Sequence, residues 1–553
     1  MSALSYGPNV LKEFINNRFQ NKEPWQIVSI TMTSVLTFIW LWDFLAQDES
    51  LMSRTRKMVF RLCRKIPFIS NKIDQELGKI SDKFDKDAEE RFKSLPFFTQ
   101  LPSEGMKEEE IMNLIKEYLS CGQYQWKEGF VSGAVYFDPE NMLNLLSKVY
   151  ATTSYTNPLH PEVFPGICKM EAEVVRIAAN LFHGGPESCG SMTTGGTESI
   201  LMACKAFRDY GRNVKGIKKP RMVIPRTAHP AFEKSANYLG ISICYVSTDP
   251  ITTCVSISEM EKAINRNTIM LVGSVPSYPY GAMDDIKSIA SLGVKYDIPV
   301  HVDCCLGGFL LVFMPEAGFE LPPFDFRVPG VTSISADTHK YAYCPKGSSI
   351  VLYSHPKYRH EQYCITTDWP GGIYGSPTVA GSRAGGVIAT CWATLIHLGK
   401  NEYIKATKKV IETARFIEDE LRKVNGIFIF GKPVTSVIAV GSNDFHVFRL
   451  IEKLNEKGWS VNPLQFPAGF HICLTHVHTQ DGVAKRFVDD VKEAVTEIMK
   501  DPRMDVEGKM AMYGMSQGIP DRSIVGDFTR FFLDTMYYTP KPVVTPTLNG
   551  SKK

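Results

Sequence analysis

Between residues 142 and 393 short apolar runs alternate with helical patterns, and this alternation restricts the possible folds of the chain more than any other feature. The runs at 222–225, 241–246, 269–275, 299–302, 331–336 and 349–353 are short, apolar and bounded by turn residues, as strands are. Between them, 198–209, 257–264 and 285–296 repeat apolar residues at helical spacing. Strands that alternate with helices make a mainly parallel sheet covered on both faces. Such α/β sheets bind ligands beyond the carboxyl ends of their strands.

After Leu398 the pattern becomes mixed. A helix over 402–424 leads to strands at 427–430 and 436–440, then a helix at 445–457. Strands near 459–461 and 472–474 and a helix at 484–500 follow, together a small α+β domain. The tail from Thr539 is rich in Pro, Thr and Lys and is expected to be disordered.

The N-terminal part is different in kind. From Pro24 to Trp42 the 19 residues PWQIVSITMTSVLTFIWLW carry no charge. At about 1.5 Å per residue they come close to spanning the ~30 Å apolar layer of a bilayer. Trp25 stands at one end and Trp40, Trp42 and Phe44 at the other, where aromatic residues sit at membrane interfaces. Asp43, Gln47 and Asp48 follow instead of the small residues of a cleavage site. Arg54, Arg56, Lys57, Arg61, Arg64 and Lys65 then form a run without acids, which predicts a single-pass anchor with the long C-terminal part in the cytosol. A charged amphipathic spacer reaches about Lys93, and the same pattern would suit packing on a partner subunit.

The expected division is therefore a short lumenal segment (1–23), a transmembrane helix (24–45) and a spacer (46–95). The catalytic part begins at 96–150, followed by a large domain (151–398), a small domain (399–538) and a tail (539–553). A formal charge of +3 over 553 residues gives no general affinity for nucleic acid. Thirteen cysteines, with no paired CxxC spacing, read as reduced thiols in a cytosolic setting rather than a metal site.

Chemistry-bearing residues collect at the predicted strand ends. Asp303 closes PVHV, His229 follows MVIP by a short turn, and His339-Lys340 follow VTSISA. Gly195-Gly196-Thr197 open the helix ESILMACKAFRDY, where exposed amides can cradle an anion. Singly, each has a plain structural reading: a turn, a cap, a buried histidine, a surface lysine. Together they supply an anion cradle, a flat ring, a carboxylate and an amine, the needs of pyridoxal phosphate.

The motifs SADTHKYAYCPKGSS (335–349), HVDCCLGGF (301–309), TGGTES (194–199) and NPLHPEVFPG (157–166) make the likeness specific. With TDWPGGIYGSPTVAGSR (367–383) and YGMSQG (513–518), the chain resembles the sphingosine-1-phosphate lyases, within the group II pyridoxal-phosphate-dependent decarboxylases. The resemblance implies the type I, aspartate-aminotransferase-like fold. It also implies cleavage of phosphorylated sphingoid bases between C2 and C3, in retro-aldol fashion, to a long-chain aldehyde and phosphoethanolamine. Lys340 would bind the cofactor covalently, His229 would stack on its ring and Asp303 would pair with the ring nitrogen. Gly196, Thr197 and His339 would hold the cofactor phosphate; Tyr136, His160, Lys346 and Tyr513 would meet the substrate phosphate. Ala384 departs from the family pattern, which has proline in GSRPGG. The resemblance further implies a homodimer with shared sites, reached by the glycine-rich stretch 370–386, in the endoplasmic reticulum membrane.

From the residues alone, Lys346 also suits a solvated turn and His160, between two prolines, a structural one. Two rival functions remain at this level. An amino-acid decarboxylase would share Lys340, Asp303 and His229 but grip a carboxylate, and a membrane-bound scaffold would keep the fold without the chemistry.

Overall fold

The structure, a computed structural model, describes residues 7–45, 51–137, 140–506, 508–519 and 521–540. The expected lumenal segment up to residue 6, the start of the spacer at 46–50 and the tail from 541 lie outside the described residues. So do the side chains of Trp42 and Phe44. The chain forms two compact units, one of residues 94–520 and one combining 1–93 with 521–553.

The larger unit is organised on seven strands: β1 (Cys189–Thr193), β2 (Arg221–Pro225), β3 (Ser242–Val246), β4 (Thr268–Ser274), β5 (Val300–Asp303), β6 (Val331–Ala336) and β7 (Ser349–Tyr353). They lie in the order β1-β7-β6-β5-β4-β2-β3, and β6, β5, β4, β2 and β3 are mutually parallel. β7 is antiparallel to both its neighbours, β1 and β6. All six expected strands form. β1, CGSMT, gives no sequence signal because its small and polar residues do not alternate, although all five are buried.

Alternate side chains feed separate cores on the two faces, as a period of two requires. Val223, Leu271, Ile350 and Leu352 join one core with the helices Pro165–Leu181 and Ile286–Tyr296. Ile224, Val272, Val351 and Tyr353 join the other with Gly196–Asn213 and Ala231–Leu239. Burial on both faces is why these strands read as nearly continuous apolar runs.

Beyond β7, β8 (Cys364–Thr366) and β9 (Tyr374–Ser376) make a small hairpin whose second strand lies in the glycine-rich stretch. A long helical segment, Gly385–Leu421, then enters the smaller sheet's layer, broken at Gly399, whose φ of 64° costs glycine little. That sheet is fully antiparallel, β10 (Phe428–Ile429), β11 (Val437–Gly441), β12 (Asn462–Leu464) and β13 (Gly469–Cys473), in the order β10-β11-β13-β12. The strand expected at 459–461 forms instead at 462–464. Trp459 and Val461 are apolar because they enter the core with Leu450, Phe470 and Phe487, not because they pair in the sheet.

In the second unit, Pro67–Phe92 runs beside Arg522–Thr535. Phe84 meets Phe532 edge-on at 6.3 Å, and Arg64 pairs with Asp527 at 2.6 Å. Pro24–Leu45 is one helix, and its stretch Pro24–Leu41 is long and apolar enough to cross a membrane, with none of its residues buried.

Candidate active site

The site begins with strand register. His301 and Asp303 share one face of β5 because they are two residues apart, and Ser333 and Ser335 share the same face of β6. Pairing sets His301 opposite Ser333 and Asp303 opposite Ser335. The result is a buried chain of hydrogen bonds. His301 Nδ1 lies 2.7 Å from Ser333 Oγ, His301 Nε2 lies 3.1 Å from Ser335 Oγ, and Ser335 donates to Asp303 Oδ1 at 3.1 Å. Since Ser335 gives its only proton to Asp303, His301 must donate from Nε2. Burial pushes the His301 imidazole down to about 4, so it is neutral at physiological pH. Asp303 Oδ1 also accepts the amide N–H of Cys305 at 3.0 Å.

β6 then delivers the lysine loop. Lys340 Nζ pairs with Asp337 Oδ2 at 2.8 Å, and His339 Nε2 lies 3.5 Å from the same oxygen. His339 Nδ1 accepts the amide of Ser348 at 3.2 Å, which assigns its proton to Nε2. Desolvation alone would lower the pKa of a buried lysine. Burial does pull in that direction, but the Asp337 carboxylate overrides it and holds the amine above its ordinary value. Asp337 is in turn held well below the carboxylate range: its burial opposes this, and Lys340 and His339 outweigh it. Asp337 was visible within SADTHK as a polar residue between strand and lysine, yet its role needed the turn geometry.

The anion cradle faces this loop. Gly195 is extended, with φ 165°, and Gly196 begins an 18-residue helix whose first amides have no intrahelical acceptor. A Cβ on Gly196 would stand 2.7 Å from Asp337 Oδ1 and 2.8 Å from Cys305 Sγ. Only glycine lets the helix start come this close. The approach is fixed by buried hydroxyls, Thr193 to Ser199 at 2.7 Å and Ser199 to Ser349 at 2.8 Å.

His229 follows β2 and accepts the amide of Ala231 on Nδ1 at 3.1 Å. Burial lowers its pKa, and Asp303, Lys340 and Asp337 all act on it through space, so the four groups share one small volume. Tyr278, which sequence reasoning missed, lies edge-on to His229 at 6.1 Å and to His471 at 4.9 Å.

The structure brings two of the four expected substrate-phosphate residues together. Lys346 Nζ stands 4.7 Å over the Tyr136 ring and 3.4 Å from the His339 carbonyl, and burial followed by the charge of Lys340 lowers its pKa. Both residues line a cavity of about 830 Å³ that also touches His339 and is walled by Phe137, Leu143, Leu146 and Tyr150. No acidic side chain lines it among the described residues. His160 is elsewhere, on an exposed turn closed by its amide to Asn157 O. Tyr513 packs edge-on to Phe448 at 5.4 Å against the core of the small sheet. Ala384, where the family pattern has proline, has a φ of −74°, a value that proline also adopts.

The residues present fit pyridoxal phosphate. There is a glycine-cleared helix start, a neutral imidazole, a buried carboxylate and an amine, and the buried Asp337 Oδ1 has no hydrogen-bond partner. Residues 93–440, more than half of the chain, match the pyridoxal-dependent decarboxylase conserved domain. The sphingosine-1-phosphate lyase of Drosophila melanogaster is 55% identical over 96% of this chain and 97% of its own. The chain belongs to the sphingosine-1-phosphate lyase family. A solved member, the sphingosine-1-phosphate lyase of Burkholderia pseudomallei, superimposes with a TM-score of 0.75 at 35% identity, covering 81% of this chain and 99% of that one. Glutamate decarboxylase of Lactobacillus brevis shares the fold with this lyase at a TM-score of 0.63 and 22% identity, covering 75% and 97%. The pyridoxal-phosphate-dependent, type I architecture expected from the motifs is therefore the architecture of this lyase-family chain.

Proposed function

We propose that this chain cleaves phosphorylated sphingoid bases between C2 and C3, releasing a long-chain aldehyde and phosphoethanolamine, as its lyase family implies. The observation that carries this reading is the pair Lys346 and Tyr136 at a largely apolar cavity, free of acids among the described residues, beside the lysine loop. A cation at an apolar wall suits a phosphorylated amphiphile better than a free amino acid.

Pyridoxal phosphate, when bound, supplies an aldehyde for amines and a ring that accepts electrons. The chain's residues would divide the remaining work. Gly196, Thr197 and His339 would hold the cofactor phosphate, His229 would serve the ring, and Asp303, steadied by Ser335, would keep the ring nitrogen protonated. Lys340 would be the residue that holds the cofactor's aldehyde, and its Nζ is the amine placed to carry protons at this edge of the sheet. Lys346 and Tyr136 would orient the substrate through its phosphate.

Incubation with a phosphorylated sphingoid base should yield phosphoethanolamine and a fatty aldehyde. Carbon dioxide from an amino acid, with no aldehyde from the lipid, would instead make it a decarboxylase.

The uncovered apolar helix at Pro24–Leu41 and the basic residues after it support a single-pass anchor in the endoplasmic reticulum membrane with the catalytic unit in the cytosol. Protease protection in microsomes tests that orientation. Exposed apolar side chains on and just before the glycine-rich stretch, Trp369, Ile373 and Val379, support a homodimer. Light scattering on the detergent-solubilised protein would count its copies.

A further inference from the structure

The helix Leu51–Cys63 is amphipathic with its faces reversed from those of a soluble protein. Met52, Met58, Val59 and Leu62 recur at spacings of three, four and seven, which places them on one face, and all four are exposed, Met52 by 83% and Leu62 by 56%. Arg54, by contrast, is buried, and Arg64, one residue past the helix, turns inward to Ser523 Oγ at 2.7 Å and Asp527 Oδ2 at 2.6 Å. The apolar face is bordered by cations on both edges. Arg56, four residues after Met52, lies on one side; Arg61, three after Met58, and Lys65, three after Leu62, lie on the other, and all three are exposed. Ile66 and Phe68 continue the apolar exposure just beyond.

We propose that Leu51–Cys63 lies in the headgroup layer of an anionic bilayer, with Met52, Met58, Val59 and Leu62 entering the acyl boundary and Arg56, Arg61 and Lys65 reaching lipid phosphates. This rests on reading Pro24–Leu41 as the membrane anchor. Chain length supports it: six steps of at most ~3.6 Å keep Leu51 within about 22 Å of Leu45, the last residue of that helix. Charge supports it as well. Long cationic side chains flanking an apolar stripe let the stripe sink while their heads stay at the phosphates, the arrangement of interfacial helices. Basic residues beside a span are also drawn to anionic lipids. A docked protein helix would account for the apolar stripe but gives no reason for cations along both of its edges. The catalytic unit's first tether would thus be an adhesive surface sensitive to lipid charge.

The test uses the full chain reconstituted in phosphatidylcholine vesicles, with or without phosphatidylserine. An environment-sensitive fluorescent amino acid replaces Leu62, or Phe38 in the anchor, or the exposed Lys72 as a water-facing control. With phosphatidylserine, the probe at 62 should shift to the blue and be quenched by brominated lipid. Both effects should be lost in the combined Arg56→Gln, Arg61→Gln, Lys65→Gln variant and in high salt. A probe at 62 as wet as that at 72, or shielded without lipid quenching, or quenched regardless of lipid charge and of the three cations, overturns the proposal. Quenching at 38 together with a wet probe at 62 rejects the interfacial helix alone, whereas an unquenched probe at 38 removes the anchor and this proposal with it.

Discussion

Lys340 Nζ sits 2.8 Å from Asp337 Oδ2, and the lysine side chain is 22% exposed where the aspartate is only 3% exposed. An amine that must attack a carbonyl is therefore stored as an ammonium when no cofactor holds it. The nearby Cys305 and Asp303 push in the same direction. The pair explains how a lysine can be kept in place, and out of reaction, in a desolvated pocket.

Only the neutral amine attacks an aldehyde. The folded pKa of Lys340 is raised, so the charged pair persists through neutral pH and fades only as pH climbs through that raised value. Uptake of pyridoxal phosphate by the cofactor-free protein should therefore quicken as pH rises. Asp337→Asn should move that rise to lower pH, read from the rate at which the visible cofactor band appears. An unchanged profile would mean that the ion pair does not govern loading.

Removing the lysine should reverse the pH dependence of stability at this spot. With Lys340 present, the Asp337 pKa is depressed below its unfolded value of about 3.9, so its contribution is present above that value and lost as pH falls through the folded one. In Lys340→Ala burial dominates, the folded pKa rises above the unfolded one, and the carboxylate costs stability as pH increases. The variant's deficit against the parent should be larger at about pH 8 than at about pH 5, by roughly 2 kcal/mol after allowing for the lysine's partial exposure. Adding Asp337→Asn should recover most of it in a denaturant titration of the cofactor-free proteins.

Gly196→Ala places a methyl group against the Asp337 carboxylate and Cys305 Sγ, side-chain ends that are buried and, at Asp337, held by Lys340. The helix start must retreat from the lysine loop. Cofactor retention on dialysis should fall by at least about tenfold, the equivalent of roughly 1.4 kcal/mol, while the far-ultraviolet circular dichroism stays that of the parent. Full retention would show that the cradle does not depend on this approach.

Lys346→Ala should leave the cofactor band intact and lower kcat/KM for a phosphorylated sphingoid base roughly tenfold to hundredfold, the worth of a hydrogen bond to a charged group. Lys346→Arg should restore part of the loss, since charge rather than shape is at stake. Normal turnover in the alanine variant would return Lys346 to the status of a turn residue over the Tyr136 ring.

How much of this was readable in advance follows from which forces act locally. β6 and β7 were legible to the residue because each is an apolar run closed by a turn. β1 was not, since CGSMT becomes a strand only by being sandwiched between a helix and β7. Lys340, Asp303, His229 and the Gly196 helix start could be gathered from the sequence because α/β topology sends strand ends to one edge. The link from His301 through Ser335 to Asp303 could not, because it depends on the register between two strands far apart in sequence. Tyr136 and Lys346 meet through packing alone, while His160, chosen on motif, lies on an exposed turn.

The reversal of β7 has a practical consequence. Because it returns antiparallel beside β6, the segment bearing both lysines is moored to the sheet at its two ends and has no crossover helix to absorb added length. Reporter groups and purification tags inserted there would strain the sheet's middle, whereas the far edge at β3 offers a free margin. For anyone building a sensor from this enzyme, the usable seam is at β3, away from the loop that carries both lysines.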